Sequence, residues 1–430
     1  MERKYKDSGI DWIGKIPESW ELAATKRIFR FGKEVVGEQS EKYERLALTM
    51  NGVLKRNKDD NEGLQPEKFD GYQILKPNEI VFKLIDLANA KTSRVGLSPY
   101  LGIVSPAYII IRNKKDDNRF FYYWYMYMYY NLIFNHMGDD GVRSALSPED
   151  VLNIPIPNIS IKEQHLIADY LDKKCGEIDS LISLQEQMIE KLKAYKQSVI
   201  TEAVTKGLNP NAKLVHSGID WIGEIPEGWK IGRIKNVAGL FGRIGFRGYN
   251  SDDLNKEGVG AITLSPSNMQ PMDMDYSSVT YLSWEKYYES PEIMIQNGDL
   301  LYVKTGSSYG KVSYVHDLPR EATINPQILR IVPKIDNKFL GYFMQSTLCE
   351  YQTKVGVVGG TIPTISQEKI NNFWVLLPSK VEQQNISSYL DEKCADINYI
   401  ITLKQQKIES LKDYKKSVIY EAVTGKTIIE

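Results

Sequence analysis

Ser8–Trp20 reads SGIDWIGKIPESW, and Ser217–Trp229 reads SGIDWIGEIPEGW. Eleven of the thirteen positions are identical, at an offset of 217 − 8 = 209. A second matching pair lies downstream: Tyr170 opens YLDKKCGEID and Tyr389 opens YLDEKCADIN, at an offset of 389 − 170 = 219. Tyr195–Thr205 (YKQSVITEAVT) and Tyr414–Thr424 (YKKSVIYEAVT) agree at nine of eleven positions with that same offset. Between the matching blocks, Glu21 to Lys162 and Lys230 to Val381 share little, and the second is longer by 219 − 209 = 10 residues. A period this long is a duplicated domain rather than a solenoid. Each half is a short tryptophan motif, a variable body and a shared tail.

The tails read as long helices. From Glu163 to Thr205 there is no proline, and Gly176 is the single glycine. Ile178, Ile182, Ile189, Leu192, Val199 and Ala203 recur at steps of four and three, with Gln185 and Lys196 in the remaining slots. That is the seam of a coiled coil. The second tail repeats it with Ile397, Ile401, Ile408, Leu411, Val418 and Ala422. Leu181, Leu184, Met188 and Tyr195 widen the first stripe, so each helix is expected to touch more than one neighbour. Ile178 to Thr205 spans about 42 Å at ~1.5 Å per residue. Gly207 and Pro210 end the first helix and Gly425 the second. Two equal helices joined through a full domain can lie antiparallel and act as a spacer.

The 430 residues suffice for two or three domains. Lys+Arg 54 against Asp+Glu 55, 42% hydrophobic and 25% charged, is the balance of a soluble globular protein. Three cysteines cannot build a disulfide framework, so a reducing cytoplasm is expected. No run reaches the ~20 apolar residues of a membrane span, and MERKYKDSGIDWIG lacks the apolar stretch of a secretory signal.

Both bodies read as mixed α/β with short strands. Glu79–Leu84 and Gly102–Arg112 look like strands in the first, and Arg119–Asn131 like an aromatic-rich helix. In the second, Gly298–Lys304, Lys311–Val315 and Gln327–Val332 are strand-like and Phe339–Gln352 is helical. The tyrosines of Phe120–Phe134 could stack on bases, but at helical spacing they are expected in the core. Catalytic motifs are missing. Gly306–Ser–Ser–Tyr–Gly310–Lys311 is one residue short of a phosphate loop, with Val312 where Ser or Thr should bind magnesium. Tyr420 stands where a loop ending at Gly425–Lys426–Thr427 needs its first glycine. His136, His165, His216 and His316 lack metal-ligand spacing, so no catalytic or metal-ligating residue is assigned. Residues 21–150 hold 19 Lys+Arg and 18 Asp+Glu, and residues 230–370 hold 15 and 14. That is a weak basic footprint for a protein binding DNA alone.

The order of tryptophan motif, variable body and shared helix, twice over, resembles the specificity (S) subunit of type I restriction–modification systems. The residues carrying the resemblance are IDWIGKIPESW and IDWIGEIPEGW, Glu163–Gln164 and Glu382–Gln383 ahead of YLD, and the two SVI-x-EAVT ends. Glu79–Tyr108 resembles one class of the family's target recognition domains and Asn297–Ile331 another. The resemblance covers essentially the whole chain. It departs at the last helix, which finishes at GKTIIE without the extension some members carry.

The resemblance implies a mixed α/β (α+β) fold with a pseudo-twofold internal repeat. Two globular target recognition domains (1–160 and 208–379) would be separated by a pair of long antiparallel coiled-coil helices (161–207 and 380–430). It implies no enzyme. Each recognition domain would read one half of a bipartite, asymmetric site in double-stranded DNA, with the helices as a ruler. The helices, through Ile178, Ile182, Ile189, Leu192, Val199, Ile397, Ile401, Ile408, Leu411 and Val418, would dock two modification subunits. Those subunits methylate adenine with S-adenosylmethionine, and restriction/translocase subunits using ATP and Mg join them. This chain would bind no cofactor itself.

Base readout needs Arg, Lys, Asn, Gln, Ser or Thr on loops. In the first body the candidates are Lys91, Thr92, Ser93 and Arg94, then Arg143 and Ser144 in GDDGVRS, then Lys55 and Arg56 after Asn51–Gly52. In the second they are Lys304, Thr305, Ser307, Ser308, Tyr309, Lys311 and Thr361, with Arg243 and Arg247 of GRIGFRG as phosphate grips. Trp12, Trp20, Trp221 and Trp229 are expected where body meets helix. The alternative is a non-enzymatic coiled-coil scaffold with two protein-binding domains, which the near-neutral bodies keep open. A third reading is an enzyme in one body, disfavoured by the missing nucleophiles and ligands.

Overall fold

The computed structural model describes residues 3–58, 60, 68–85, 87, 94–113, 117–137, 145–243, 245–359 and 362–429. It forms two units that interleave along the chain: Met1–Glu186 with Gln405–Glu430, and Gln187–Lys404. Each unit therefore holds one body, the start of one long helix and the end of the other.

In the first unit, β1 (Glu21–Ala24) pairs later with the strand that leads into the long helix. It is followed by β2 (Phe29–Phe31), β3 (Arg45–Thr49), β4 (Gly52–Arg56), β5 (Gln73–Leu75), β6 (Ile80–Lys83), β7 (Arg94–Leu97), β8 (Gly102–Val104) and β9 (Ile109–Asn113). Helix α1 (Arg119–Tyr130) and β10 (Pro155–Asn158) lead to the long helix α2 (Ile161–Lys206). One antiparallel sheet has the order β2-β9-β6-β7. A second has the order β4-β3-β8-β5, with β3 and β8 parallel, and β10 pairs with β1. The stretch Gly102–Arg112, expected as one strand, is two. Pro106 has no N–H for a ladder, and a turn closes as Tyr108 N donates to the Ser105 carbonyl, so the halves join different sheets. Helix α1 is core: Phe120, Phe121, Tyr123, Trp124, Tyr125, Tyr127 and Met128 are all buried.

The second unit repeats this plan in a body with little sequence in common. Its strands are β11 (Lys230–Arg233), β12 (Ala238–Gly242), β13 (Leu254–Asn255), β14 (Ala261–Leu264), β15 (Thr280–Leu282), β16 (Leu300–Val303), β17 (Val312–Tyr314), β18 (Ala322–Ile324) and β19 (Ile328–Pro333). Helices α3 (Asn337–Gln345) and α4 (Thr347–Gly356) precede β20 (Trp374–Leu377) and the long helix α5 (Lys380–Val423). The sheets run β12-β19-β16-β17 and β13-β15-β14-β18, again with one parallel pair, β14 and β18. The helix expected over Phe339–Gln352 is broken at Ser346, whose hydroxyl accepts from Cys349 N and starts α4.

Two internal details match where the sequences do not. Asn78 (φ 64°) and Gly298 (φ 95°) turn the chain into β6 and β16, and each carbonyl accepts a 2.6 Å bond from an asparagine at the following helix, Asn118 or Asn337. The next residue in each case, Glu79 or Asp299, is buried and paired with an arginine, Arg112 at 2.6 Å or Arg330 at 2.7 Å.

The long helices pair antiparallel inside each unit. In the first, Leu171 and Cys175 of α2 share a core with Val418 and Ala422 of α5, and Lys415 Nζ donates to Asp179 at 2.7 Å. In the second, Ile200 and Ala203 share a core with Leu390 and Cys394, and Lys196 Nζ donates to Asn398 Oδ1 at 2.9 Å. The residues are repeat equivalents, since 398 − 179 = 415 − 196 = 219. The same arrangement is thus built twice with the two helices exchanging roles.

Candidate nucleic-acid interface

The shared motifs fix each body to its helix. Trp20 is 1% exposed and its indole N–H donates to Glu163 in the first turn of α2 at 2.9 Å. Trp229 does the same to Glu382 of α5 at 3.1 Å. Nine residues further along each helix, the aspartate of YLD takes a tyrosine hydroxyl and a cation from the body helix. Asp172 accepts from Tyr123 at 2.7 Å and from Arg119 at 2.5 Å. Asp391 accepts from Tyr342 at 2.8 Å and from Lys338 at 2.6 Å. Burial, and then the bonded carboxylate, push both tyrosine pKa values up, so these hydroxyls remain donors. Trp12 packs on Trp124 and Tyr127 of its body, and Trp221 on Tyr351. Trp20 and Trp229 thus sit where body meets helix, as expected, whereas the ring contacts of Trp12 and Trp221 are with the body.

Of the sequence candidates in the first body, Lys91, Thr92, Ser93, Arg143 and Ser144 lie outside the described residues. The structure brings together Arg56 and Arg94, and adds Arg45. Gly52 (φ 89°) allows the tight turn that folds β4 back on β3, which sets Arg45 opposite Arg56. Strand β7 crosses this ribbon where Gly96 has no side chain: a Cβ there would lie 2.6 Å from Leu48 and 2.9 Å from Val53. That crossing carries Arg94, itself opposite Lys83 of β6. Burial, and then Tyr72, raise the pKa of the half-buried Tyr108, and all three arginines act against that rise. Arg56 is bonded to Asp60 at 2.7 Å. Arg45 is 8% exposed, lies 5.4 Å from the Phe69 ring centroid, and its buried Nη1 has no hydrogen-bond partner among the described residues. Leaving such a donor unmatched costs about 1–3 kcal/mol. Lys55 is exposed, 5.6 Å over Tyr100.

In the second body the loop between β16 and β17 is clamped to the segment before β20. Thr305 bridges Thr364, and Gly306 N donates to the Pro363 carbonyl. Thr361 lies outside the described residues, but its neighbours belong to that clamp. Ser307, Tyr309 and Lys311 line an open cavity of about 510 Å³ against Gln197 of α2. Ser308 supports the turn, its carbonyl accepting from Lys311 N. Lys304 is half-buried, burial lowers its pKa, and its ammonium has no partner among the described residues. Two candidates have internal work instead. Arg243 is 5% exposed and its guanidinium bonds Thr323 and the carbonyls of Ile324 and Arg247, because the loop folds it under β18. Lys311 Nζ donates to the Met269 carbonyl at 3.0 Å. Arg247 is half-exposed, 3.5 Å from Glu292.

The family model of the type I restriction modification DNA specificity domain matches twice, over residues 33–194 and 226–413. The chain belongs to that family. The MjaVIII specificity subunit of Methanocaldococcus jannaschii is 22% identical over 96% of this chain and 94% of its own length. The EcoKI specificity subunit of Escherichia coli K12 is 23% identical over 64% of this chain and 58% of its own. A chain solved in work on complex assembly and conformational transition of the type I R-M system shares the fold. Its TM-score is 0.68 at 14% identity, covering 95% of this chain and 98% of that one. The protein is a specificity subunit, a DNA-recognition component with no catalytic role.

In this specificity subunit the ten helix residues expected to bind partners form the seam between its own helices. Ile178, Ile189, Ile397, Ile408, Leu411 and Val418 are buried, and Ile182, Leu192, Val199 and Ile401 half-buried, because an antiparallel pair closes over its 4-3 stripe. The second stripe is what remains open. In the first unit Leu181 and Leu184 are 47% and 49% exposed, and in the second Ile400 and Leu403 are 41% and 44% exposed. No described helix is long and apolar enough to cross a membrane.

Proposed function

We propose that each body reads one half of a bipartite, asymmetric DNA site. The helix pair holds the two readers at a fixed separation and docks two adenine-methylating modification subunits, with restriction subunits joining them. The observation that carries this reading is the doubled frame. Two bodies that share one four-stranded sheet order and a parallel pair in the other sheet, with different loops, are fixed to equivalent helices by the same tryptophan–glutamate and tyrosine–aspartate bonds. Different loops on one frame give different half-sites, and equal frames give a constant gap. The exposed Leu181, Leu184, Ile400 and Leu403 supply the apolar surface that a docked subunit needs. S-adenosylmethionine, ATP and Mg belong to those partners, this chain binds no cofactor, and the assembly works in the cytoplasm.

The near-neutral bodies favour DNA binding only in company, with the partners supplying much of the phosphate grip. The test is co-expression with the modification subunit of the same operon, followed by mapping methyladenine across the host genome. One split motif with two short halves and a fixed gap is expected. A stable, active complex that leaves no methylated motif would return the scaffold reading.

A further inference from the structure

We propose that Arg45, Arg56 and Arg94 form a guanine-reading site in the first body; this rests on the DNA-reading function proposed above. The three side chains come from different strands, and the topology places them together. Arg45 and Arg56 are direct partners across β3 and β4, and Arg94 arrives on β7, which crosses the same ribbon at Gly96. Like charges set opposite one another on neighbouring strands destabilise a sheet. This body has two such pairs, Arg45 with Arg56 and Lys83 with Arg94. Asp60 answers Arg56, but Arg45 keeps a sheltered N–H with no acceptor among the described residues. A ligand rich in acceptors would satisfy that N–H and the positive charge gathered around it.

Guanine is the acceptor that fits. Its O6 and N7 accept two parallel bonds from one guanidinium in the major groove. Arginine, with its planar fork, suits this role, and Arg45 lies over the Phe69 ring at 5.4 Å. With Arg45 buried and the other two half-buried, Arg56 and Arg94 stand at the mouth of the cluster and Arg45 at its base. A phosphate grip would call for exposed, mobile cations, and 19 basic against 18 acidic residues leave this body little general attraction for a backbone.

The experiment uses the full chain in complex with its modification subunits, and duplexes carrying the mapped methylation site. Each guanine is replaced in turn by 7-deazaguanine, which removes N7 alone. In the wild type, one guanine in one half-site should lose about 10-fold in affinity. R45A should lose about 10- to 100-fold on the unmodified duplex and nothing further at that guanine, and R56A and R94A should weaken binding at the same half-site. R45K, which keeps the charge without the fork, should fall with them. Unchanged discrimination at the other half-site shows that the variants are folded. Weakening that is uniform over all sequences, with a shallower salt dependence, would mean phosphate contacts and overturn the proposal. So would a half-site with no guanine on either strand. A wild-type complex indifferent to base changes in both halves would overturn the DNA-reading function itself, and this site with it.

Discussion

Single residues hold the bodies to the helices in this chain, and others are proposed to meet DNA. Asp391 is the clearest of the first kind, since it receives both Tyr342 and Lys338. Asp391→Ala should cost about 1–3 kcal/mol by stranding the tyrosine hydroxyl, while Asp391→Asn, which still accepts, should cost less. Urea unfolding of the two variants would show this order, and equal losses would mean that the ion pair with Lys338 dominates. His316 gives a pH signature. The bond to Asp317 raises its pKa above the usual value, burial opposes that, and Asp273 adds to the rise. A raised folded-state pKa means stability that is full below about pH 6.5 and lost as pH rises through the folded value. With the ring 42% exposed the effect is at most about 1 kcal/mol. His316→Gln should flatten that part of the stability–pH curve. The holding residues were legible in sequence, because Trp, Glu and the YLD aspartate recur at fixed offsets. Arg45 was not, since its role depends on which residue lies opposite. Asn51–Gly52 is a hairpin signal, but as a two-residue loop it would set residue 45 against 58; the loop is Met50–Asn51, and that one-residue difference in turn position sets 45 against 56.

At the scale of elements, the long helices were legible almost to their ends because a 4-3 stripe persists without tertiary help. The strands were read as regions and missed at their breaks. Pro106 and Ser346 each split an expected element, and a propensity pattern does not register the missing N–H or the cap that ends a run. The seam also holds polar residues that hydrophobic packing alone would not choose: Lys196 and Lys415 occupy core-facing positions and bond Asn398 and Asp179. A polar residue in a seam fixes register at a cost in stability. Lys196→Ile with Lys415→Ile should therefore raise the melting temperature while loosening the choice of partner helix, read as higher oligomers in light scattering. A lower melting temperature would show that the two bonds contribute more than the apolar contacts that replace them.

For the molecule as a whole, the duplication makes a prediction that neither body makes alone. Each unit is built from a body, the start of one long helix and the end of the other, with Asp179–Lys415 in one unit standing where Asn398–Lys196 stands in the other. The frame therefore does not distinguish which body it carries. Residues 21–158, from β1 to β10, begin and end on the same paired strands as residues 230–377, from β11 to β20. Replacing the second body by a copy of the first should yield a folded chain, because Trp229, Glu382 and Asp391 stay in place to receive it, and Arg119 and Tyr123 would meet Asp391 as they meet Asp172. Two identical readers on equivalent frames should then read an inverted repeat in place of an asymmetric site. Methyladenine mapping of the duplicated chain with its modification subunits should return a palindromic motif with the original gap. An asymmetric motif would mean that the frame itself contributes to readout, and a changed gap that the body, as well as the helices, sets the separation.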